Sequence, residues 1–249
     1  MAGRCGQGPA AGDFRSGGAG RPLGLGPAPP PFAAAVRLSG ARVRISIFPL
    51  SGAVLYPGLQ LPLHIFEPRY RALVKDALAR DSRIGLIQPR ISLKNAGADE
   101  GAPLYSVGCL GKIGEVEALD DGRFNLLLQG EARFRIVREL EVTTPFRQVE
   151  AELLGEEEFP ALSPIERAGF EREARRFADA QGYAVDWEAV TRLDDLSLID
   201  GVSQIAPFDA AAKQALLEAE GLNARCELLI QLMQFFGRRD SDEGRVTLQ

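Results

Sequence analysis

The stretch IFPLSGAVLYPGLQLPLHIFEPRY, residues 47–70, decides the fold of this 249-residue chain. It alternates short apolar segments with turns that contain proline. Pro49 ends a first strand, in which residues 42–47 alternate between polar and apolar side chains with the period of a half-buried strand. The dipeptide Pro57-Gly58 then predicts a turn. The stretch therefore indicates strands that enter and leave a sheet through tight turns.

Extended structure resumes over residues 59–66, where Pro62 predicts an edge strand or a bulge because proline cannot donate a ladder hydrogen bond. A helix of about three turns follows. Pro68 suits its first turn, where the missing N–H has no intrahelical partner to lose. Apolar residues recur on one face of this helix at Tyr70, Leu73, Val74, Ala77 and Leu78.

Three motif side chains, Leu50, Leu63 and Phe66, are expected to fill the core behind these strands. Glu67 and Arg69 flank the helix start, where the helix dipole favours a carboxylate. The motif is thus expected to act mostly through folding.

Further strands are predicted from residue 83 to residue 154. The strand signals lie at 83–88, 104–119, 124–128, 134–137 and 146–153, with a polar loop at 89–103. Gly108 is one of several glycines that suit bulges in a closing barrel. Asp121-Gly122 predicts a hairpin turn because glycine accepts positive φ. Many short strands with one early helix indicate a small mixed barrel.

Beyond residue 158 the apolar period changes to 3.6, which indicates helices. Ser163-Pro164-Ile165-Glu166 is a capping box with proline in the first turn. Three more helical stretches are predicted: one from Asp186 through Val202, one from Asp209 to Gly221, and one from Asn223 to Gly237. The predicted organisation is a disordered Gly/Pro-rich tail (1–40), a β-rich lobe (41–158), a helical bundle (159–238) and a disordered tail (239–249).

Composition and charge narrow the class of protein. Hydrophobic residues make up 45% and charged residues 25%, as in a globular protein, and no apolar run is long enough for a membrane span. The cysteines Cys5, Cys109 and Cys226 lie far apart, which predicts neither a disulfide framework nor a zinc site and favours a cytoplasmic location. Cys109 and Cys226 are expected to be core residues. Residues 1–40 carry a net charge of +3 and the remainder −8, so no nucleic-acid partner is expected.

Signatures of catalysis are missing from the sequence. It contains no P-loop, no GxGxxG after a strand and no GxSxG elbow. His64 is the single histidine, and its apolar neighbours predict a half-buried structural residue rather than a general base. No catalytic residue, cofactor or metal ligand is therefore predicted, and the acidic run Glu156–Glu158 is expected to be a solvated linker.

The motif set resembles the N-terminal domain of Lon proteases, and more closely the stand-alone bacterial proteins built from that domain; cereblon contains a related domain. The residues that carry the resemblance are Pro49, Leu50, Pro57, Gly58, Pro62, Leu63, His64, Phe66, Glu67, Pro68, Tyr70 and Gly108. The resemblance continues through residues 126–130 and 213–218, and covers roughly 43–237.

The resemblance implies an α+β fold: a PUA-like β pseudobarrel with one helix, followed by a C-terminal helical bundle. In Lon this domain contributes to substrate recognition and assembly, whereas the ATPase and the Ser/Lys protease lie in later domains. This sequence has neither a P-loop nor a Pro-Lys-Asp-Gly-Pro-Ser-Ala-Gly-like segment. We therefore expect a non-enzymatic protein that binds a polypeptide client or a protein partner.

The ligand site and two other functions stay open at this point. A polypeptide could lie in a groove between the lobes or along a strand edge kinked by proline. An ATP-independent peptidase or hydrolase would need His64, or a Ser/Lys pair that folding brings together. RNA binding rests on analogy with other PUA-like domains alone. The sequence leaves the oligomeric state open, a homo-oligomer included.

Overall fold

A computed structural model describes residues 40–90, 101–155 and 161–243. Four predictions lie wholly or partly outside these residues. They concern the tail at 1–39, most of the loop at 89–103, the run Glu156–Glu158 and the last six residues of the C-terminal tail.

Six strands form one sheet. They are β1 (Arg42–Pro49), β2 (Gln60–Ile65), β3 (Arg83–Ile87), β4 (Val107–Ala118), β5 (Phe124–Leu140) and β6 (Gln148–Leu153). The order is β2-β5-β4-β3-β1-β6, and β6 also pairs with β5. Only β1 and β3 run parallel to each other. The last pairing closes a ring of five strands with β2 outside it, so the expected pseudobarrel is present as an irregular closed sheet.

The strand β5 differs from the prediction of two strands at 124–128 and 134–137. It is one strand of 17 residues, whose first half pairs with β2 and β4 and whose second half pairs with β6. Gly130, which follows the first of the two predicted strands, lies inside β5, where the backbone of Tyr56 occupies the space that a side chain at position 130 would need. The long strand is what joins the two ends of the sheet.

The elements around the motif follow the prediction closely. β2 pairs with β5 alone, so Pro62 lies in an edge strand. The helix α1 spans Pro68–Leu78 and buries four of its five predicted apolar residues. The hairpin turn at Asp121-Gly122 joins β4 to β5, with a φ of 79° at the glycine.

Five helices follow the sheet: α2 (Pro164–Ala180), α3 (Trp187–Thr191), α4 (Asp195–Ile205), α5 (Ala210–Glu218) and α6 (Leu222–Glu243). The capping box at Ser163 is confirmed in both of its hydrogen bonds. The stretch predicted as one helix from Asp186 is two helices, because the Asp194 side chain accepts the Ser197 N–H and starts α4. Among the described residues, no helix is long and apolar enough to cross a membrane.

The predicted ends of the last two helices are wrong. α5 ends at Glu218, before Gly221, and α6 already begins at Leu222, so Asn223 lies inside it. α6 also runs through Gly237 and through residues 239–243, which were assigned to the tail. At Gly237 the helix continues beside Phe177 of α2, and a Cβ at this position would lie in ordinary contact with the ring, at 3.5 Å.

Side chains from the sheet and α1 form one core, and those from the five later helices form another. Cys109 and Cys226 are buried in these cores, as predicted, and Leu63 is buried with Leu50 packed beside it. Phe66 does not fill the core: 58% of its surface is exposed. Leu63 and Ile65 point inward, so the alternation along β2 turns Phe66 outward.

Gly108 is a motif residue with a defined packing role. A Cβ at this position would lie 2.5 Å from the Leu86 carbonyl oxygen and 2.6 Å from the Phe134 ring. Because one neighbour is backbone, Gly108→Ala is expected to lower the free energy of unfolding by about 1–3 kcal/mol. Urea unfolding followed by circular dichroism measures this loss. A matched change, Gly169→Ala on the open side of α2, should leave stability unchanged or raise it by up to ~1 kcal/mol.

Candidate functional site

The strands and the later helices meet around Tyr56, which belongs to the motif stretch. Tyr56 is fully buried and packs with Val54, Val107 and Leu217 of α5. The segments 54–58 and 213–218, which both contributed to the resemblance, therefore meet in three dimensions at this junction.

Two buried glutamines tie α5 to the sheet. The Gln88 amide donates to the Ala210 carbonyl oxygen at 3.0 Å and to Gln214 Oε1 at 3.2 Å. The Gln214 amide donates to the Val107 carbonyl oxygen at 2.9 Å. Each bond crosses between the strands and the helices, which holds the two parts in a fixed relation.

A buried ion pair lies next to these bonds, with Arg225 of α6 donating to Asp200 of α4. The Arg225 guanidinium also lies 5.1 Å from the Tyr56 ring centroid, and its Nε donates to the Leu216 carbonyl oxygen at 3.1 Å. Burial raises the pKa of Asp200 to about 6, and it also raises the pKa of the Tyr56 hydroxyl. Packed side chains thus fill the part of the strand–helix contact where we expected a groove.

A surface, here called the β2 outer face, is formed by the exposed Pro62 and His64 of β2, by the exposed Phe66 directly after it and by the half-buried Leu127 of β5. The three β2 residues alternate with the buried or half-buried Leu61, Leu63 and Ile65. Leu127 is the direct cross-strand partner of Pro62. The result is a largely apolar surface on the edge of the sheet.

The His64 ring is held in place on this surface. It is exposed, not half-buried as predicted. Asn125 Nδ2 donates to Glu117 at 2.8 Å, which leaves Asn125 Oδ1 to accept from His64 Nδ1 at 2.7 Å. His64 Nε2 then accepts from Arg123 Nη1 at 3.3 Å.

Phe66 lies beside this fixed ring, with the two ring centroids 6.2 Å apart and 26° between their planes. Because hydrogen bonds fix the orientation of the His64 ring before binding, that ring loses little conformational entropy when a ligand covers it. The pair is therefore suited to contact with an apolar side chain.

The free edge of β2 is only partly open to a further strand. Leu59 O accepts from Gly130 N at 2.8 Å, so alternate residues face β5 and the backbone groups of Gln60, Pro62 and His64 face away. Gln204 of α4 covers the Gln60 carbonyl oxygen at 2.8 Å. Pro62 has no N–H, so the Pro62 carbonyl and both His64 backbone groups, which have no partner among the described residues, remain for a short strand-like ligand.

The other motif residues shape the fold. Gly58 has a φ of 81°, which favours glycine, in the turn that it forms with Pro57. The Tyr70 ring packs edge-on against the Phe48 ring, with 4.5 Å between the two ring centroids. Glu67 does not cap α1 with its side chain but pairs with Arg69 at 2.9 Å.

Two hollows of about 400 Å³ lie near the end of β5. One is lined by Pro49, Arg69, Tyr70 and residues from the 139–147 segment, and the other by Arg44 and residues 138–142. Pro49 and Tyr70 are thus the motif residues that line a hollow.

The titratable groups do not assemble into a recognisable catalytic site within the described part of the chain. His64 bonds an amide and a guanidinium, neither of which is a nucleophile. Burial raises the pKa of the Cys109 thiol, and it raises the pKa of the Cys226 thiol to about 11, which disfavours the reactive thiolate. The described residues contain no group of three His, Cys, Asp or Glu side chains placed to bind a metal.

An irregular closed sheet with one helix, followed by a helical bundle, is the architecture of a Lon N-terminal domain. Residues 44–234 match the family described as the ATP-dependent protease La (LON) substrate-binding domain, and the chain belongs to this family.

Solved structures share this fold. The structure is similar to that of a Lon N-terminal domain protein from Xanthomonas campestris, with a TM-score of 0.58 and 21% identity over 76% of this chain and 98% of that chain. It is also similar to the N-terminal domain of Mycobacterium avium complex Lon protease, with a TM-score of 0.56 and 22% identity over 77% and 98% of the two chains.

Longer relatives match in sequence. Lon protease 2 of Myxococcus xanthus is 28% identical over 197 residues, which cover 76% of this chain and 23% of that protein. Lon protease of Escherichia coli (strain K12) is 28% identical over 204 residues, which cover 78% and 25%. The chain therefore spans about a quarter of the length of these relatives.

Proposed function

We propose that this protein binds extended or unfolded polypeptide segments at the β2 outer face, without an ATPase or protease step of its own. The observation that carries this proposal is the exposed pair of His64 and Phe66, in which hydrogen bonds hold His64, beside an edge strand whose outer backbone groups are partly unpaired among the described residues. Membership of a substrate-binding family supports it.

The chemistry of the surface fits a polypeptide ligand. Phe66, Leu127 and the Pro62 ring can contact apolar side chains, and the backbone groups of Pro62 and His64 can bond a short extended segment. Such a surface selects segments that expose apolar residues, as unfolded proteins do. We propose that it works on such clients in the cytoplasm.

A direct test uses reduced and carboxymethylated lactalbumin as an unfolded client with a fluorescent label. We expect a saturable rise in anisotropy when the full chain is added, with the same midpoint with and without ATP. The native, disulfide-bonded form of the client should compete weakly because its apolar residues are buried. Absence of saturable binding to several unfolded clients, or equal binding of the native form, would contradict the proposal.

A further inference from the structure

A second exposed surface lies on β1, β6 and β5, where charged residues are in register across three strands. Arg42 is opposite Glu152, which is opposite Arg135, and Arg44 is opposite Glu150, which is opposite Arg138. We call these six residues the arginine ladder. Val43, Ala151 and Ile136, which lie between these residues on the three strands, pack in a core cluster that also contains Ile45, Val149 and Phe134.

A β-bulge places Arg138 on this surface. Arg135 and Arg138 are three residues apart, so in a regular strand they would point to opposite faces of the sheet. The register shifts between Ile136 and Arg138, which leaves Val137 without a cross-strand partner and brings both arginines to the outer face. Arg138 Nε then donates to Glu150 Oε2 at 2.6 Å. The arrangement of these arginines therefore depends on the β-bulge in β5.

The arginine ladder carries more positive than negative charge. Four guanidinium groups surround two carboxylates, although the chain beyond residue 40 has a net charge of −8. Arg42 and Arg138 share Glu150, and Arg44 Nε donates to the neutral Gln148. Arg135 is exposed, and its side chain makes no hydrogen bond or ion pair with another described residue. Guanidinium donors therefore remain for a ligand.

We propose that the arginine ladder binds an acidic polypeptide segment in an extended conformation. Alternate residues of a strand lie about 6.6 Å apart, and alternate side chains of an extended peptide have nearly the same spacing. A segment that lies along the strands can thus place successive carboxylates against Arg42 and Arg44, or against Arg135 and Arg138. Arginine binds carboxylates through paired N–H groups, which favours this ligand further.

Two features favour an acidic peptide over a nucleic acid. Glu150 and Glu152 lie in the middle of the ladder, where they would repel a continuous row of phosphates but can lie between the carboxylates of a peptide. The hollow beside Arg44 and Arg138 is also lined by Leu140 and Val142 and by the glutamates Glu139 and Glu141, so it suits an apolar side chain at one end of the segment and not a further carboxylate. This proposal does not depend on the β2 outer face.

The test measures binding of two labelled peptides to the full chain, one with eight Glu-Ala repeats and one with eight Gln-Ala repeats, by fluorescence anisotropy. The Glu-Ala peptide should bind more tightly than the Gln-Ala peptide. Its affinity should be lower at 200 mM salt than at 50 mM salt. Arg135→Gln/Arg138→Gln should weaken it by about two- to fivefold for each arginine removed. The control Arg172→Gln/Arg176→Gln removes the same charge from the exposed side of α2 and should bind the peptide like the parent.

Three results would overturn this inference. One is equal affinity for the two peptides, and another is an equal loss of affinity in the α2 control. The third is tighter, ladder-dependent binding of a uridine oligonucleotide, which would assign the surface to nucleic acid instead. Loss of binding confined to the ladder variant, with an unchanged unfolding midpoint, supports the acidic-peptide assignment.

Discussion

Arg225→Met is expected to lower the free energy of unfolding by about 3–5 kcal/mol at pH 7. The change leaves the buried Asp200 carboxylate without its cation and removes the bond to the Leu216 carbonyl oxygen and the contact with the Tyr56 ring. Methionine is similar to arginine in volume, so the lost free energy of unfolding comes mainly from the uncompensated Asp200 charge and not from a cavity. Urea unfolding of the full chain measures it.

The pH dependence of this variant identifies the cause. Burial raises the pKa of Asp200 to about 6, above its unfolded value of about 4. Asp200 therefore makes its full contribution to the free energy of unfolding below about pH 4, and this contribution is lost as the pH rises through about 6. Without Arg225 the pKa rises further, so Arg225→Met should regain stability when the pH is lowered from 8 to 5.

Two further variants serve as controls. Asp200→Leu/Arg225→Met removes both charges and should unfold within about 1 kcal/mol of the parent, because a buried ion pair adds little over apolar packing. Arg192→Met breaks the exposed pair with Glu188 and should cost less than about 0.5 kcal/mol. If the double variant is as unstable as Arg225→Met, the loss does not come from an unpaired Asp200.

Phe66→Ala is expected to weaken binding of an unfolded client by at least tenfold. The side chain is 58% exposed and lies beside His64, so its removal takes away the largest apolar contact on the β2 outer face without opening a core cavity. Aromatic residues with a fixed orientation often provide most of the energy of a binding surface. Anisotropy with carboxymethylated lactalbumin gives the affinity, and thermal unfolding should be unchanged.

Phe235 provides a matched control for this prediction. It is 56% exposed on α6, so Phe235→Ala removes the same type of side chain from a different surface. We expect this variant to bind the client with the parent's affinity. Equal losses in the two variants would indicate general apolar adhesion rather than a site at β2.

The sequence predicts the sheet region well because its signals are local. Pro62 marks an edge strand, and Asp121-Gly122 marks a hairpin, through backbone chemistry that needs no distant partner. Gly237 misleads because a glycine inside a helix looks the same in the local sequence as one that ends it. The continuity of β5 is also missed, because Gly130 lies against the backbone of Tyr56, which is distant in the chain.

The candidate surfaces are harder to predict for the same reason. The outward direction of Phe66 follows from strict alternation with Leu63 and Ile65, a signal that the sequence does contain. The fixed orientation of His64 does not follow from the local sequence, because it needs Asn125 of β5 and Arg123 of the turn before β5. The arginine ladder likewise depends on strand register and on one bulge in β5.

Photo-crosslinking tests the central claim, that polypeptides bind at the β2 outer face. The crosslinking amino acid p-benzoylphenylalanine replaces Phe66, Leu127 or Phe235 in the full chain, one position at a time, and each variant is irradiated with the labelled unfolded client. We predict crosslinks from positions 66 and 127 that an excess of unlabelled client suppresses, and none above background from position 235. Saturable crosslinks from position 235 without any from 66 or 127 would contradict the account.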